Sequence, residues 1–421
     1  MKQSAQSHAV GKDYPDVEGP HGESPSDTIP QIAVALLTGG SDKSYVYGLT
    51  VALSSQGIKV DLIGSDELDG PEIRSKPGVI FFKLRGDQRP DASFAKKVAR
   101  ITIYYLKLIH YAASARPKVF HILWNNRFEI LDRTLLMLYY RLLGKRIVLT
   151  AHNVNAAKRD SEDTIVNRLT LRIQYLIAHH IFVHTAKMKA ELLEEFRVQA
   201  TRVTVIPFGI NVFAPKTCLT SGEAKERLGL RNDERTILFF GRITPYKGLQ
   251  YLIPALHQLW AERDIYRLII AGRLDARSGE RYWNSIRESV NADVQQGRVL
   301  LRAEFIPDEQ TEVYFKAADV LVLPYRNIYQ SGVMFLGHSF GLPVLAADVG
   351  SLKEEIVEGK TGFLFKPEDP TDLARTIKRY FASDLFLNLA SRRQEIQEYA
   401  AARHSWEVVG RMTMGVYAEL L

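Results

Sequence analysis

Four short stretches carry residue types able to grip or move charged groups. In FFGRITPYKG (239–248), Gly241 follows an aromatic and aliphatic run, and Arg242 and Lys247 stand five positions apart. Two cations on a loop entering a helix suit a diphosphate, because a guanidinium binds two oxygens at once and an ammonium adds a point charge. In PYRNIYQSGVMFLGHSFGLPV (324–344), Gln330, Ser331 and Gly332 precede an apolar helical stretch. Free backbone N–H groups there, with a glycine allowing close approach and a hydroxyl beside them, form an anion cradle. LIIAG (268–272) and EFIPDEQ (304–310) run out into loops whose backbone groups could read the edge of a base, which marks Gly272 and Phe305. In LTAHNVNAAKRD (149–160), His152 and Asn153 follow a β-branched run, where a neutral imidazole can accept or donate hydrogen bonds and assist proton movement. Arg159, on the same loop, is a candidate for an anionic acceptor group.

Two further stretches belong to the same end of the first half. LLTGGSDKSYVYG (36–48) places Gly39 and Gly40 at a strand-to-helix turn, with Lys43 able to meet an acceptor phosphate. The spacing is not GxGxxG, so dinucleotide binding is not supported. VFHILWNN (119–126) buries His121 within a strand and leaves Trp124 and Asn125 at its end; His121 reads as a core residue.

These residues need strand ends to hold them. Short aliphatic runs at 32–37, 59–63, 79–83, 119–123, 146–150, 180–183 and 204–206 alternate with helical patterns such as 45–54, 92–113 and 133–143. Alternation of this kind means parallel pairing with right-handed crossovers. The pattern breaks at IPFGINVFAPKTCLT (206–220) and restarts with runs at 236–240, 267–271, 299–301, 320–323, 344–346 and 362–365. Asp369 before Pro370 reads as a helix N-cap with proline in the first turn, and Asp308 is read the same way ahead of its helix. The expected organisation is a disordered tail at 1–28, doubly wound domains at 29–210 and 211–395, and a C-terminal helix at 396–421. Ligands of such sheets bind beyond the carboxyl ends of the strands, so the cleft between the domains is the expected site.

The 421 residues are 46% hydrophobic and 24% charged, which excludes a disordered or fibrous chain. No apolar run reaches the ~20 residues of a membrane span, and the first residues lack the apolar core of a secretory signal, so the expectation is a cytoplasmic chain. The single Cys218 can form no intrachain disulfide and has no second thiol for a zinc site. The net charge of +7 is uneven: residues 30–205 hold 26 Lys+Arg against 16 Asp+Glu, while residues 206–421 hold 27 of each. A basic first half points to an anionic partner. Spacing of i, i+4, i+7 places Lys96, Arg100, Tyr104, Lys107 and Tyr111 near one helical face, which an anionic membrane surface would attract by about 1 kcal/mol per well-placed cation. No nucleic-acid reading motif accompanies the basicity, and no carboxylates cluster at metal-ligand spacing.

With these motifs in place, the second half resembles the nucleotide-sugar-binding domain of GT-B glycosyltransferases of family 4, also called group 1. GRITPYKG looks like that family's Gly-Arg-x-x-x-x-Lys-Gly diphosphate motif, and AADVLVLPY, GLPVLAADVG and EGKTGFLF match its later strands and helices. The resemblance is strong over 235–381 and weaker in the first half. It implies the GT-B fold: two Rossmann-like domains facing one cleft, with the last helix crossing back to the first domain. It implies that Arg242 and Lys247 hold the donor diphosphate and that the amides around Gln330, Ser331 and Gly332 cap the distal phosphate. His152 matches a family histidine near the donor sugar, and the loop at Gly39 and Gly40 faces the cleft. The chain departs from the family's Glu, seven residues, Glu arrangement, holding Ile328 and Leu336 there. Sugar recognition must then use other groups, such as Gln330, Ser331 or His338.

The implied function is transfer of a hexose from a UDP- or GDP-sugar to a hydroxyl of a saccharide or lipid-linked saccharide, in polysaccharide or glycolipid biosynthesis. It needs no metal and no further cofactor. The alternatives are a nucleotide-sugar-binding protein without catalysis and a GT-B sugar-nucleotide epimerase or hydrolase.

Overall fold

Seven strands form the first sheet: β1 (Ala33–Leu37), β2 (Lys59–Ser65), β3 (Val79–Gly86), β4 (Val119–Ile122), β5 (Arg146–Thr150), β6 (His180–Val183) and β7 (Val203–Val205). Six form the second: β8 (Arg235–Phe240), β9 (Tyr266–Ala271), β10 (Val299–Arg302), β11 (Val320–Leu323), β12 (Val344–Ala347) and β13 (Gly362–Phe365). The computed structural model describes residues 32–39, 42–86, 93–159, 162–210, 214–275 and 279–421. The expected tail at 1–28 and Gly40 lie outside them, as does the side chain of Arg159.

Every strand pairing is parallel, in the orders β3-β2-β1-β4-β5-β6-β7 and β10-β9-β8-β11-β12-β13. Strands such as β4, β6, β11 and β12 are buried along their whole length, as sheets covered by helices on both faces require. In both sheets the winding direction reverses beside the first strand, between β1 and β4 and between β8 and β11. Loops leaving adjacent strands there diverge to opposite faces and open a crevice. GT-B architecture is therefore the observed fold, and residues 32–421 form one compact unit.

The helices that matter for the site are α1 (Lys43–Ser55), α2 (Phe94–Ser114), α3 (Glu129–Leu131 continued through a π-helical stretch Asp132–Leu136 into Met137–Leu142), α4 (Ile165–Ile177), α5 (Ala186–Glu195), α6 (Leu249–Glu262), α7 (Asp308–Ala317), α8 (Gly332–Ser339) and α9 (Trp406–Leu420). Asp369 caps its helix as expected, accepting from the Thr371 and Asp372 amides with Pro370 in the first turn. Asp308 does not cap α7: Pro307 occupies the cap position and Asp308 is the first helical residue.

The C-terminal segment is divided. One helix ends at Arg403, His404 and Ser405 make the turn, and α9 begins at Trp406 and packs on α1 of the first domain. Two contacts hold α9 there. Tyr417 Oη lies 2.6 Å from Nδ1 of His121, whose Nε2 lies 2.7 Å from Thr150 Oγ1. Trp406 Nε1 donates to the Ile210 carbonyl at 2.8 Å. His121 is fully buried and its pKa is pushed down to about 3 by burial, then by nearby His180, in keeping with its reading as a core residue.

The expected basic face of α2 divides in the structure. Tyr104 and Tyr111 point inward, donating to Asn126 Oδ1 at 2.5 Å and Asp61 Oδ2 at 2.7 Å, while Lys96 and Lys107 stay outside. A tyrosine ring gains more by burial with its hydroxyl satisfied than by lying beside lysines in water.

Candidate functional site

The first wall of the crevice lies where β1, β4 and β5 end. A cavity of about 660 Å³ opens there, lined among others by Gly39, Arg85, Trp124, Arg127, Arg133, His152 and Asn153. The sequence-expected residues Gly39, His152 and Asn153 thus meet in one place, joined there by Trp124, because strands adjacent at a reversal deliver their loops side by side. Lys43 begins α1, whose cap residue Asp42 accepts from the Tyr45 amide at 3.1 Å. Asp308, at the start of α7, acts electrostatically on Asp42, and Lys43 acts on Asp308, so the tips of these two helices lie within electrostatic reach of one another. Burial, then the neighbouring Glu309, raises the pKa of Asp308, which Lys43 counters.

His152 is held on all sides. Its ring lies on Trp124 with centroids 4.0 Å apart and planes 5° from parallel, and Tyr45 meets it edge-on at 4.6 Å. His152 Nδ1 lies 3.1 Å from Nε2 of His184, whose own Nδ1 lies 3.3 Å from the Ile206 carbonyl oxygen. A carbonyl only accepts, so His184 Nδ1 carries a proton, its Nε2 accepts, and His152 Nδ1 is the donor; the network assigns these protons. Nε2 of His152 is left with its lone pair bare, buried and without a partner among the described residues. Burial, then His184 and His121, pushes the His152 pKa well below its usual value, and burial brings His184 down to about 4, so both rings stay neutral near pH 7.

The second wall lies where β8 and β11 end. Gly241 turns with φ +96°, and Gly272, at φ +147°, packs so closely that any Cβ on it would overlap the Gly241 carbonyl. The two glycines set the path of the loop that carries Arg242 and Lys247. Lys247 lies in a 3₁₀ turn, Pro245–Lys247, is 6% exposed, and sits 5.6 Å from the centroid of the Tyr325 ring. A Cβ placed on Gly241 would be 2.6 Å from Lys247 Nζ and 3.4 Å from Val333 of α8, so the ammonium and the tip of α8 converge on one point. Arg242 is less committed: its side chain is 54% exposed and pairs with Asp275 at 3.3 Å.

Ser331 caps α8, its hydroxyl accepting from the Met334 amide at 3.3 Å and lying 3.4 Å from Tyr325 Oη. Gly332 is exposed as the first helical residue, and the amides of Gly332 and Val333 have no intrahelical acceptor by the geometry of a helix start. Gln330 Oε1 is buried without a partner among the described residues. Phe305 is 66% exposed, and Arg273 lies 5.7 Å from its ring centroid, so the pair offers a flat face beside β9 and β10. Ile328 and Leu336 are 7% and 8% exposed and belong to the apolar core of this domain. His338 is 1% exposed, with His404 and Glu355 close by, so it does not reach the crevice.

The two walls meet through Phe208, which follows β7. Its ring lies 5.2 Å from His184, 6.3 Å from His152 and 5.6 Å from Phe335 of α8, and a Cβ on Gly332 would touch it at 3.7 Å. Tyr329 Oη also donates to Glu191 of α5 at 2.6 Å. His152 and the amide tip of α8 therefore stand on either side of one phenylalanine. Sequence reasoning missed His184, Phe208, Arg85, Arg127, Arg133 and Arg273. The strand-end rule that marked His152 would also have found His184, one residue beyond β6.

Among the described residues no group of three His, Cys, Asp or Glu side chains could hold a metal ion, and no helix is long and apolar enough to cross a membrane.

Comparison with known proteins agrees with this arrangement. Residues 221–403 match the profile described as Glycosyl transferases group 1, and residues 43–212 match Glycosyltransferase Family 4. The D-inositol 3-phosphate glycosyltransferase of Streptomyces avermitilis is 30% identical over 246 residues, 57% of this chain but only 52% of that protein. The chain thus spans about half the length of that relative. The enzyme of the same description from Thermobispora bispora is 24% identical over 91% of both chains. Among solved structures, sucrose-phosphate synthase from Thermosynechococcus elongatus superposes with a TM-score of 0.72 at 21% identity, over 92% of this chain and 99% of that one. Anabaena HepE in complex with UDP and glucose superposes with a TM-score of 0.69 at 16% identity, over 92% and 99%.

Proposed function

For a chain that is a group 1, family 4-like glycosyltransferase of GT-B fold, we propose a specific division of labour across the crevice. The donor is a nucleoside diphosphate hexose, with UDP or GDP as the nucleotide, bound on the second wall. The acceptor hydroxyl belongs to a saccharide or lipid-linked saccharide, bound in the cavity of the first wall. The acceptor oxygen bonds to the anomeric carbon, the bond from that carbon to the phosphate oxygen breaks with its electron pair, and the hydroxyl proton is released. No residue of the chain is consumed, and no cofactor beyond the donor is called for.

The leaving diphosphate is met by Lys247, Arg242 and the first amides of α8, which Ser331 and Gly332 hold open. Charge developing on the bridging oxygen is thereby stabilised by groups already in position. Gly241 and Gly272 let the phosphates approach the backbone, and Phe305 stacks the base. Gln330 Oε1, buried and without a partner among the described residues, accepts from a sugar hydroxyl. His152 Nε2 accepts from a hydroxyl at the reacting centre; its low pKa makes it a neutral acceptor rather than a strong base. Gly39, Lys43 and Asn153 face the acceptor, and Gly40 and Arg159 are proposed for the same side.

The observation that supports this most is the convergence of Lys247 Nζ and the α8 tip on one point, with the bare nitrogen of His152 beyond Phe208. Release of UDP or GDP that depends on added acceptor tests it. A second reading, donor binding without transfer, draws on Ile328 and Leu336, which leave two apolar side chains where the family carries carboxylates. Donor binding with no nucleotide release under any acceptor would favour that reading.

A further inference from the structure

The helical layer beside the acceptor cavity is apolar on its outer side as well as its inner one. α3 lies between α2 and α4, since Tyr139 Oη donates to the Ile109 carbonyl at 3.1 Å and Arg141 to the Ile177 carbonyl at 3.2 Å. Twelve of the nineteen exposed large hydrophobic side chains among the described residues lie on these three helices. Leu106 is 62% exposed, Leu135 65%, Leu142 78%, Ile165 86%, Leu169 56% and Leu176 52%. Surfaces facing water scatter such residues singly rather than gather them on neighbouring helices.

The charges on the same layer are mostly positive. The three helices carry eight Lys and Arg, namely Lys96, Lys97, Arg100, Lys107, Arg133, Arg141, Arg168 and Arg172, against Glu129 and Asp132. Glu129 is paired with Arg133 at 2.6 Å and Asp132 is buried, so neither supplies free negative charge to the surface. Two copies of this chain meeting through the layer would set cations against cations. An anionic bilayer complements both features, because its interface accepts leucine and isoleucine side chains while its phosphates meet lysine and arginine.

We infer that the outer face of α2, α3 and α4 docks on an anionic lipid bilayer, with its leucines and isoleucines in the interface. The placement has a consequence for the cavity. Glu129 and Arg133, on α3, and Arg127, just before it, line that cavity, and Phe128 and Ile130 beside them are 52% and 58% exposed. One helix therefore forms both a cavity wall and the docking face, which puts the cavity mouth at headgroup depth. The inference concerns where the chain sits and stands whether or not transfer occurs.

Sedimentation of the full chain with vesicles of phosphatidylcholine and phosphatidylglycerol, two to one, tests it, with pure phosphatidylcholine as the control. The chain is expected to pellet with the anionic vesicles at low salt and far less with the neutral ones. The triple variant Leu106→Ser, Leu142→Ser, Leu169→Ser changes only exposed positions and is expected to bind on the order of tenfold more weakly or worse. The variant Lys96→Glu, Lys107→Glu, Arg172→Glu is expected to lose the preference for anionic lipid. Because a misfolded variant would also bind poorly, Leu142→Trp in the otherwise unchanged chain supplies an independent measure: its emission should be quenched by lipids brominated along the acyl chain. Failure of the parent chain to pellet with anionic vesicles overturns the inference, as does parent-like binding by the serine variant or an unquenched Trp at 142. A dimer seen in sedimentation velocity and abolished by the serine variant would overturn it too, by assigning the face to self-association.

Discussion

Lys247 and Arg242 are the two cations assigned to the donor diphosphate, and the structure makes them unequal. Lys247 is 6% exposed, shielded from solvent beside the Tyr325 ring, and already converged on the α8 tip. A hydrogen bond from a charged donor is worth about 1.5–3 kcal/mol net, which corresponds to roughly 10- to 150-fold in affinity. Arg242 has a side chain that is 54% exposed and holds Asp275 at 3.3 Å, so a phosphate gains it only by replacing an existing partner. Exposed pairs of this kind exchange for about 0–1 kcal/mol, or up to roughly fivefold. Lys247→Met keeps the apolar stem and removes the charge; Arg242→Ala removes the exposed fork. Calorimetric titration with UDP and GDP is expected to show a 10- to 150-fold loss for Lys247→Met and less than about fivefold for Arg242→Ala. Added salt should narrow the Arg242 effect more than the Lys247 effect. Melting curves without ligand establish that each variant is folded. A larger loss at Arg242 than at Lys247 would refute the burial argument, and undiminished nucleotide binding by the double variant would refute the site.

Other consequences can be measured separately. Gly272→Ala forces a Cβ onto the Gly241 carbonyl at φ +147°, so unfolding by urea should show a loss on the order of 3 kcal/mol together with weaker UDP or GDP binding; parent-like stability would show that this loop tolerates rearrangement. His184→Phe deletes the acceptor that holds the His152 Nδ1 proton, so acceptor-dependent nucleotide release should slow by about 10-fold or more while nucleotide affinity stays unchanged; an unchanged rate would remove the histidine pair from the reaction. The folded pKa of His184 is about 4 against about 6.5 unfolded, so the stability tied to its neutral form is present above pH 6.5 and is lost as pH falls toward 4. Burial raises Asp132 and Glu191, whose protonation acts in the opposite sense. The test is therefore the difference in melting temperature between the parent chain and His184→Phe, and an equal fall in both from pH 7 to pH 5 would contradict it. Since the leaving diphosphate is assigned to the chain's own cations and amides, transfer should persist in EDTA; loss restored by a divalent ion would show that charge stabilisation requires one.

Much of this molecule can be read along the chain because the relevant physics is local. Parallel strands buried on both faces must be short aliphatic runs, and the helices between them need caps such as Asp369 before Pro370, so element order and fold class are visible in composition and spacing. GRITPYKG is equally visible, since a tight turn needs glycine and a diphosphate needs cations near it. The departures arose where a residue's environment is supplied by chain far away. Tyr104 and Tyr111 share helical spacing with Lys107, yet the Asn126 and Asp61 acceptors draw the rings inward. His338 stands eight residues beyond Gln330, but the turn of α8 carries it into the core beside His404.

The identity of the strand ends was decided by sequence; their company was decided by topology. His152 takes its chemical state from Trp124, from His184 thirty-two positions later, and from Phe208 beyond β7. Their meeting follows from the reversal in strand order, which no local pattern encodes. The outer apolar layer is another such case, since each leucine there is unremarkable in its own helix and becomes a surface only when α2, α3 and α4 lie side by side. Burial and proton position depend on which distant atoms fill the space around a group, and only the packed chain determines them.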